Sequence, residues 1–119
     1  MTILADFFVK ILYMRIEKIK DNAFILRGKI KEISDYHDLK TLIEKIRKNG
    51  IDEVYFGIPQ AKEISFHVLG YWLKLTRKNG YKLHLFIESP LLYNNIIKLG
   101  FKEFLEVING KLEEYIQPI

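Results

Sequence analysis

Lys45-Ile46-Arg47-Lys48-Asn49-Gly50-Ile51-Asp52-Glu53-Val54-Tyr55-Phe56-Gly57-Ile58 sets a helix stop directly before a strand. The arrangement returns in Leu75-Thr76-Arg77-Lys78-Asn79-Gly80-Tyr81-Lys82-Leu83-His84-Leu85-Phe86-Ile87. Lys and Arg in a last helical turn complement the negative end of the helix dipole. Gly just beyond takes the left-handed conformation that other residues avoid. The short apolar runs that follow, Glu53 to Ile58 and Lys82 to Ile87, read as buried strands bounded by turn signals. Nothing else recurs at this spacing, so the repeat is punctuation and not a solenoid.

Working outward, the helix before Gly50 starts near Ser34 or Asp35, either of which can cap it, and presents Leu39, Leu42, Ile43 and Ile46 on one face. The helix before Gly80 covers about Glu63 to Lys78, with Phe66, Leu69 and Leu73 as its buried stripe. Ser89-Pro90 opens a third helix, a capping residue followed by proline at the first helical position, which carries Leu92, Ile96, Ile97 and Leu99 and stops at Gly100. Asn22 to Ile30 reads as a strand that pairs with Arg15 to Lys20 in a hairpin through Asp21-Asn22. A last short strand covers Phe104 to Ile108. The order β, β, α, β, α, β, α, β implies an α/β fold. Its mixed sheet has four to five strands packed against three to four α-helices.

The chain has 119 residues, a net charge of +4 and no cysteine. Such a length forms one domain and buries a core without staples. The lack of Cys excludes disulfides, a thiol nucleophile and thiolate metal ligands, and fits a reducing, cytoplasmic setting. Lys and Arg are spread along the chain, so the charge does not call for nucleic acid. No uninterrupted apolar run is long enough to span a membrane, and residues 1–13 lack the basic start and cleavage site of a signal peptide.

Enzymatic signatures are missing: no Gly-rich phosphate loop, no His-Glu-x-x-His, no Gly-x-Ser-x-Gly, and no motif for a cofactor. His37, His67 and His84 are isolated, and no pair shares a helix face at metal-ligand spacing. His37 reads as solvated, His67 as available to a partner, and His84 as a hydrogen-bonded strand residue. Trp72 reads as a core residue packed on the sheet in preference to an exposed partner patch.

From Phe24 to Val107 the chain resembles a STAS domain, the fold of bacterial anti-sigma factor antagonists and of sulfate-transporter tails. The strongest match is Ser89-Pro90-Leu91-Leu92-Tyr93-Asn94-Asn95-Ile96-Ile97-Lys98-Leu99-Gly100-Phe101-Lys102-Glu103-Phe104. Leu26-Arg27-Gly28-Lys29-Ile30 is similar to the end of the family's first long strand, and Lys78-Asn79-Gly80-Tyr81-Lys82-Leu83 to its helix-to-strand corner. The resemblance implies a non-enzymatic protein-binding module. In the family a partner kinase phosphorylates a Ser or Thr at the start of the second helix, within Asp-Ser-x-Gly-Leu. There, exposed amides and the helix dipole favour negative charge.

That signature is altered here. A gap-free count back from Gly80 puts Lys62 at the Asp and Glu63 at the phosphorylated residue. A small shift makes Ser65 the switch, followed by Phe66-His67-Val68. Lys31 and Glu32 stand where the family has an Asp after its first strand, and Gly57 stands at a strand-end acidic or amide position. Three alternatives follow: Ser65 is the switch, Glu63 supplies a fixed negative charge, or the switch is lost. The resemblance implies partner contact through Gly57, Pro59, Gln60, Lys62, Glu63, Phe66 and His67. The implied partner is an anti-sigma factor or serine switch kinase. Alternatively the chain is the STAS subunit of a lipid-transport ABC complex that binds its ATPase, or a small anion-binding domain.

With Met14 opening an ordinary STAS start, the domain is expected over 14–108. Residues 1–13 then form an apolar helical extension suited to a homodimer, or an artefact of start assignment, and residues 109–119 form a tail for docking or a frayed helix end.

Overall fold

Both Asn-Gly corners turn the chain as their chemistry dictates. In the computed structural model, which describes residues 13–116, Gly50 and Gly80 have φ of 82° and 64°, the left-handed region that favours glycine. The expected helical extension of residues 1–13 lies almost wholly outside the described residues.

The elements are β1 (Arg15–Lys20), β2 (Ala23–Arg27), α1 (Ile33–Lys48), β3 (Glu53–Ile58), α2 (Phe66–Lys78), β4 (Lys82–Ile87), α3 (Pro90–Lys98) and β5 (Glu106–Asn109). Short 3-10 turns cover Phe101–Glu103 and Leu112–Glu114. The strands form one five-stranded sheet in the order β1-β2-β3-β4-β5. β1 is antiparallel to β2, and every later pair is parallel. The fold is therefore α/β, with a five-stranded mixed sheet and three α-helices among the described residues. The strand order never reverses, so crossovers of one hand deliver all three helices to the same face.

Alternate strand residues build that face. Phe24 and Leu26, Val54, Phe56 and Ile58, Leu83, Leu85 and Ile87, and Val107 join the buried residues of the three helices in one core. Trp72 lies at its centre, fully buried, with its ring stacked on Phe56 at 5.6 Å. The α2 stripe differs from the sequence expectation: Val68, Leu69, Trp72 and Leu75 face inward, Leu73 is half-buried, and Phe66 points into water. Trp72 is in the core as expected, and the face that buries it takes in Val68 and Leu75 with it. Together these three remove more apolar area from water than Phe66 and Leu73 would, which decides the rotation of the helix.

Both helix starts also shift. α1 begins at Ile33, ahead of the Ser34 or Asp35 cap expected from sequence. Asp35, in the first turn, reaches back so that one carboxylate oxygen accepts the N–H groups of Lys31 (3.0 Å) and Glu32 (2.9 Å). It is the one charged side chain buried among the described residues, and these bonds offset its desolvation. α2 begins at Phe66 and not at Glu63. Ile64 forms a parallel bridge with Ile30, and the Ser65 N–H donates to the Ile30 carbonyl at 2.8 Å, so residues 63–65 are held extended.

The other face is smaller. Ala23, Ile25 and Phe86 pack there with Leu112, which is fully buried. A Cβ on Gly57 would stand 2.8 Å from Ile25 Cδ1 and 3.0 Å from Leu112 Cβ, so glycine is what lets the chain after β5 close down on β3. The segment expected as a docking tail or frayed end thus supplies, through Leu112, part of the core.

Candidate functional site

The loop joining β3 to α2 crosses the carboxyl ends of β2 and β3. Two buried side chains, Ala61 and Ile64, pin it to the core. The Gln60 side-chain oxygen accepts the Gly28 N–H at 2.7 Å and ties it to the end of β2. Lys62 and Glu63 lie between these pins and are exposed. Gln60, Lys62 and Glu63 share a cavity of about 450 Å³ with Gly28, Lys29, Ile30 and Lys31.

Ser65 follows as the N-cap of α2. Its Oγ accepts the His67 N–H at 3.2 Å. This satisfies one of the amides that a helix start leaves unpaired. Phe66, the first helical residue, is 82% exposed, the most exposed large apolar side chain described. His67 is also exposed, its ring centroid 6.2 Å from that of Tyr36 on α1. Phe66 and His67 line a second depression, of about 570 Å³, between α1 and α2.

Of the eight site residues expected from sequence, the structure brings Gln60, Lys62 and Glu63 to one cavity and Phe66 and His67 to the adjoining groove, with Ser65 at the junction. Pro59 is half-buried at the end of β3. Gly57 belongs to neither surface. It is buried under Leu112 on the opposite face, so a partner at the loop does not reach it.

Sequence reasoning missed the far wall of the groove. Tyr36, Lys40, Glu44 and Arg47 on α1 face Gly70, Tyr71 and Lys74 on α2 across it. Their signal was the spacing of three or four residues among polar positions of both helices. Burial, and then the nearby Glu44 carboxylate, pushes the Tyr71 hydroxyl up to about 12, with the Arg47 charge acting against the shift. That hydroxyl is buried with no hydrogen-bond partner among the described residues.

The histidines do not converge. Among the described residues, no group of three acidic, His or Cys side chains is placed to hold a metal ion. His37 is exposed, its ring tilted against that of Tyr36 with the centroids 5.0 Å apart. His84 lies on the second face of the sheet. Its Nε2 is 2.7 Å from Glu53 and its Nδ1 2.7 Å from Glu106, so one ring clasps β3, β4 and β5. The ring stacks on Tyr55 at 4.2 Å. Register explains the cluster: His84 pairs with Tyr55 on one side and Glu106 on the other. Both ring nitrogens of His84 are thus held by carboxylates.

No family model, no curated protein and no solved structure matches this chain.

Proposed function

We propose that the chain is a non-catalytic, STAS-like regulatory module of the cytoplasm that binds a protein partner through residues 59–67. Phe66 carries this reading. A phenylalanine left 82% exposed at the first position of a helix, while a neighbouring tryptophan fills the core, costs solvation free energy that a partner surface recovers. The pinned loop around it supports the same reading, since a preorganised surface loses little entropy on binding.

Ser65 fits a switch in this setting. Phosphate on its Oγ would place nearly two negative charges at the start of α2, beside Phe66, where the helix amides stabilise them and the partner contact changes. An anti-sigma factor or small switch kinase is then the partner. The second reading, a transporter subunit gripping a cytoplasmic ATPase, is favoured by the residues around Ser65: Lys62-Glu63-Ile64-Ser65-Phe66 carries neither the Asp nor the Gly-Leu of the switch signature.

Affinity capture from the native host with mass spectrometry tests the proposal. Wild-type protein is expected to retain a kinase of the histidine-kinase-like class, and Phe66→Glu to lose it with its fold intact. Capture of a transporter ATPase through the same residues selects the second reading. Retention of every captured protein by Phe66→Glu rejects the surface. Incubation of a captured kinase with ATP is expected to label wild type and not Ser65→Ala; labelling of neither assigns the switch as lost.

A further inference from the structure

The groove between α1 and α2 does not end at Gly70. A second depression, of about 360 Å³, lies beyond it, lined by Leu73, Lys74, Arg77 and Lys78, and both depressions include Gly70 and Lys74. Gly70 is therefore the saddle of one trough. It stands in the middle of α2, where glycine destabilises a helix relative to alanine. Packing does not demand it, because a Cβ there would meet nothing within 4 Å. What the missing side chain does is leave the floor of the trough open between Phe66 and Lys74.

The walls are charged in one sense. α2 carries Lys74, Arg77 and Lys78 and no acid. α1 adds Lys40 and Arg47, with Glu44 as the one acid lining either depression. Among the described residues none of these five cations forms an ion pair within 4 Å; the pairs present involve Lys18, Arg27 and His84. Arg47 is held in place without neutralisation. Its guanidinium lies over the Tyr81 ring at 5.9 Å, and the Asn79 amide, oriented with its oxygen inward, accepts from both terminal nitrogens at 3.0 and 3.2 Å.

We infer that this trough docks an acidic segment of a protein partner. Its carboxylates pair with Lys40, Arg47 and Lys74, and one bulky apolar side chain sits over Gly70 against Phe66 and Leu73. The inference rests on the docking reading above and names the chemistry of what docks. Unpaired cations around a partly apolar floor are the complement of an acidic amphipathic peptide, which gains both steering and burial there. Glu44 favours a peptide over a polynucleotide: it repels a phosphate chain tracking the cations, whereas a peptide offers N–H donors to it.

The probe is a fluorescein-labelled synthetic peptide with Glu and Leu at helical spacing, read by fluorescence anisotropy against the intact chain. Its counterpart with Lys replacing every Glu serves as the control. Saturable binding of the acidic peptide, weaker at high salt and undetectable for the basic one, is expected. Lys74→Glu should weaken it about tenfold or more, that is about 1.4 kcal/mol or more, and Lys98→Glu on α3 should leave it unchanged. Gly70→Leu fills the saddle; it should melt no lower than wild type by circular dichroism and lose the peptide.

Binding of both peptides alike, absence of saturation, or full binding by a folded Gly70→Leu overturns the proposal. So does displacement of the peptide by an oligonucleotide or by anionic vesicles, which would assign the cations to phosphate. A captured partner that is lost with Phe66→Glu but kept by Gly70→Leu and Lys74→Glu leaves the docking reading standing and removes this one. Failure to capture any partner while the peptide binds does the reverse.

Discussion

Alternate residues of the same strands build the two faces of the sheet, yet the faces are finished by different means. On one, Phe56, Leu85 and their neighbours are covered by three whole helices, and Trp72 closes the centre. On the other, Ile25 and Phe86 are covered by one short turn after the last strand, with Leu112 fully buried and Tyr115 and Ile116 beside it. Beside that leucine the second face turns polar, with His84 held between two glutamates. Helical cover needs long sequence-local elements. Cover by one short turn needs only a close approach, and here Gly57 permits it. The helical face is thus robust and also carries the exposed Phe66 and the groove, while the second face depends on a few contacts.

The largest effects test that contrast. Trp72→Ala is expected to cost about 3–5 kcal/mol in urea unfolding, since the stacked indole is wholly buried. Leu112→Ala is expected to cost about 2–4 kcal/mol, and Gly57→Ala about 1–3 kcal/mol by overpacking against Ile25 and Leu112. A neutral Leu112→Ala would return residues 109–116 to the status of a tail and break the comparison.

An intermediate effect compares two tyrosines of the helical face. Burial pushes both Tyr71 and Tyr81 up to about 12. The unfolded chain releases these phenolic protons near 10, so above that pH it binds fewer protons than the folded chain. Stability is therefore unaffected by these groups at neutral pH and falls as pH rises from about 10 toward 12. At neutral pH the two differ. The Tyr81 hydroxyl donates to the Ile51 carbonyl at 3.1 Å, and Tyr81→Phe should cost about 1 kcal/mol. Tyr71→Phe removes a hydroxyl without a partner and should be neutral to within about 0.5 kcal/mol. Each substitution should also flatten the alkaline fall, measured as unfolding midpoints across pH.

The smallest effect sharpens the second face. Glu53→Gln and Glu106→Gln each remove one carboxylate from the His84 clasp. Both pairs are partly exposed, and losses of less than about 1 kcal/mol are expected. Glu53→Gln should cost more, because its side chain is the better covered, 34% against 51% exposed. Equal losses of several kcal/mol would mean that the clasp, and not Leu112, holds this face.

Residues adjacent in sequence made most of the fold legible. β1, β3 and β4 run over the residues expected, the Ser89-Pro90 start opens α3, and both Asn-Gly corners end their helices. One error is local, the start of α1, where Asp35 reaches back to Lys31 and Glu32; the others fall where a distant residue intervenes. The start of α2 moved from Glu63 to Phe66 because Ile64 pairs with Ile30. Its inward face rotated because Trp72 meets Phe56. At the candidate site, the Ser65 cap and an exposed His67 were readable locally. Phe66 was expected at the site and in the buried stripe at once, and only packing chose between them.

By itself, then, the sequence determined the alternation of helices and strands and where each helix stops, because dipole, cap and glycine chemistry act within a few residues. The tertiary structure alone decided which side chains became surface. It buried Gly57 beneath Leu112, exposed Phe66, and set Lys40 and Arg47 across a groove from Lys74. Those outcomes depend on which pairs of distant residues exclude water together, and no local pattern records that competition.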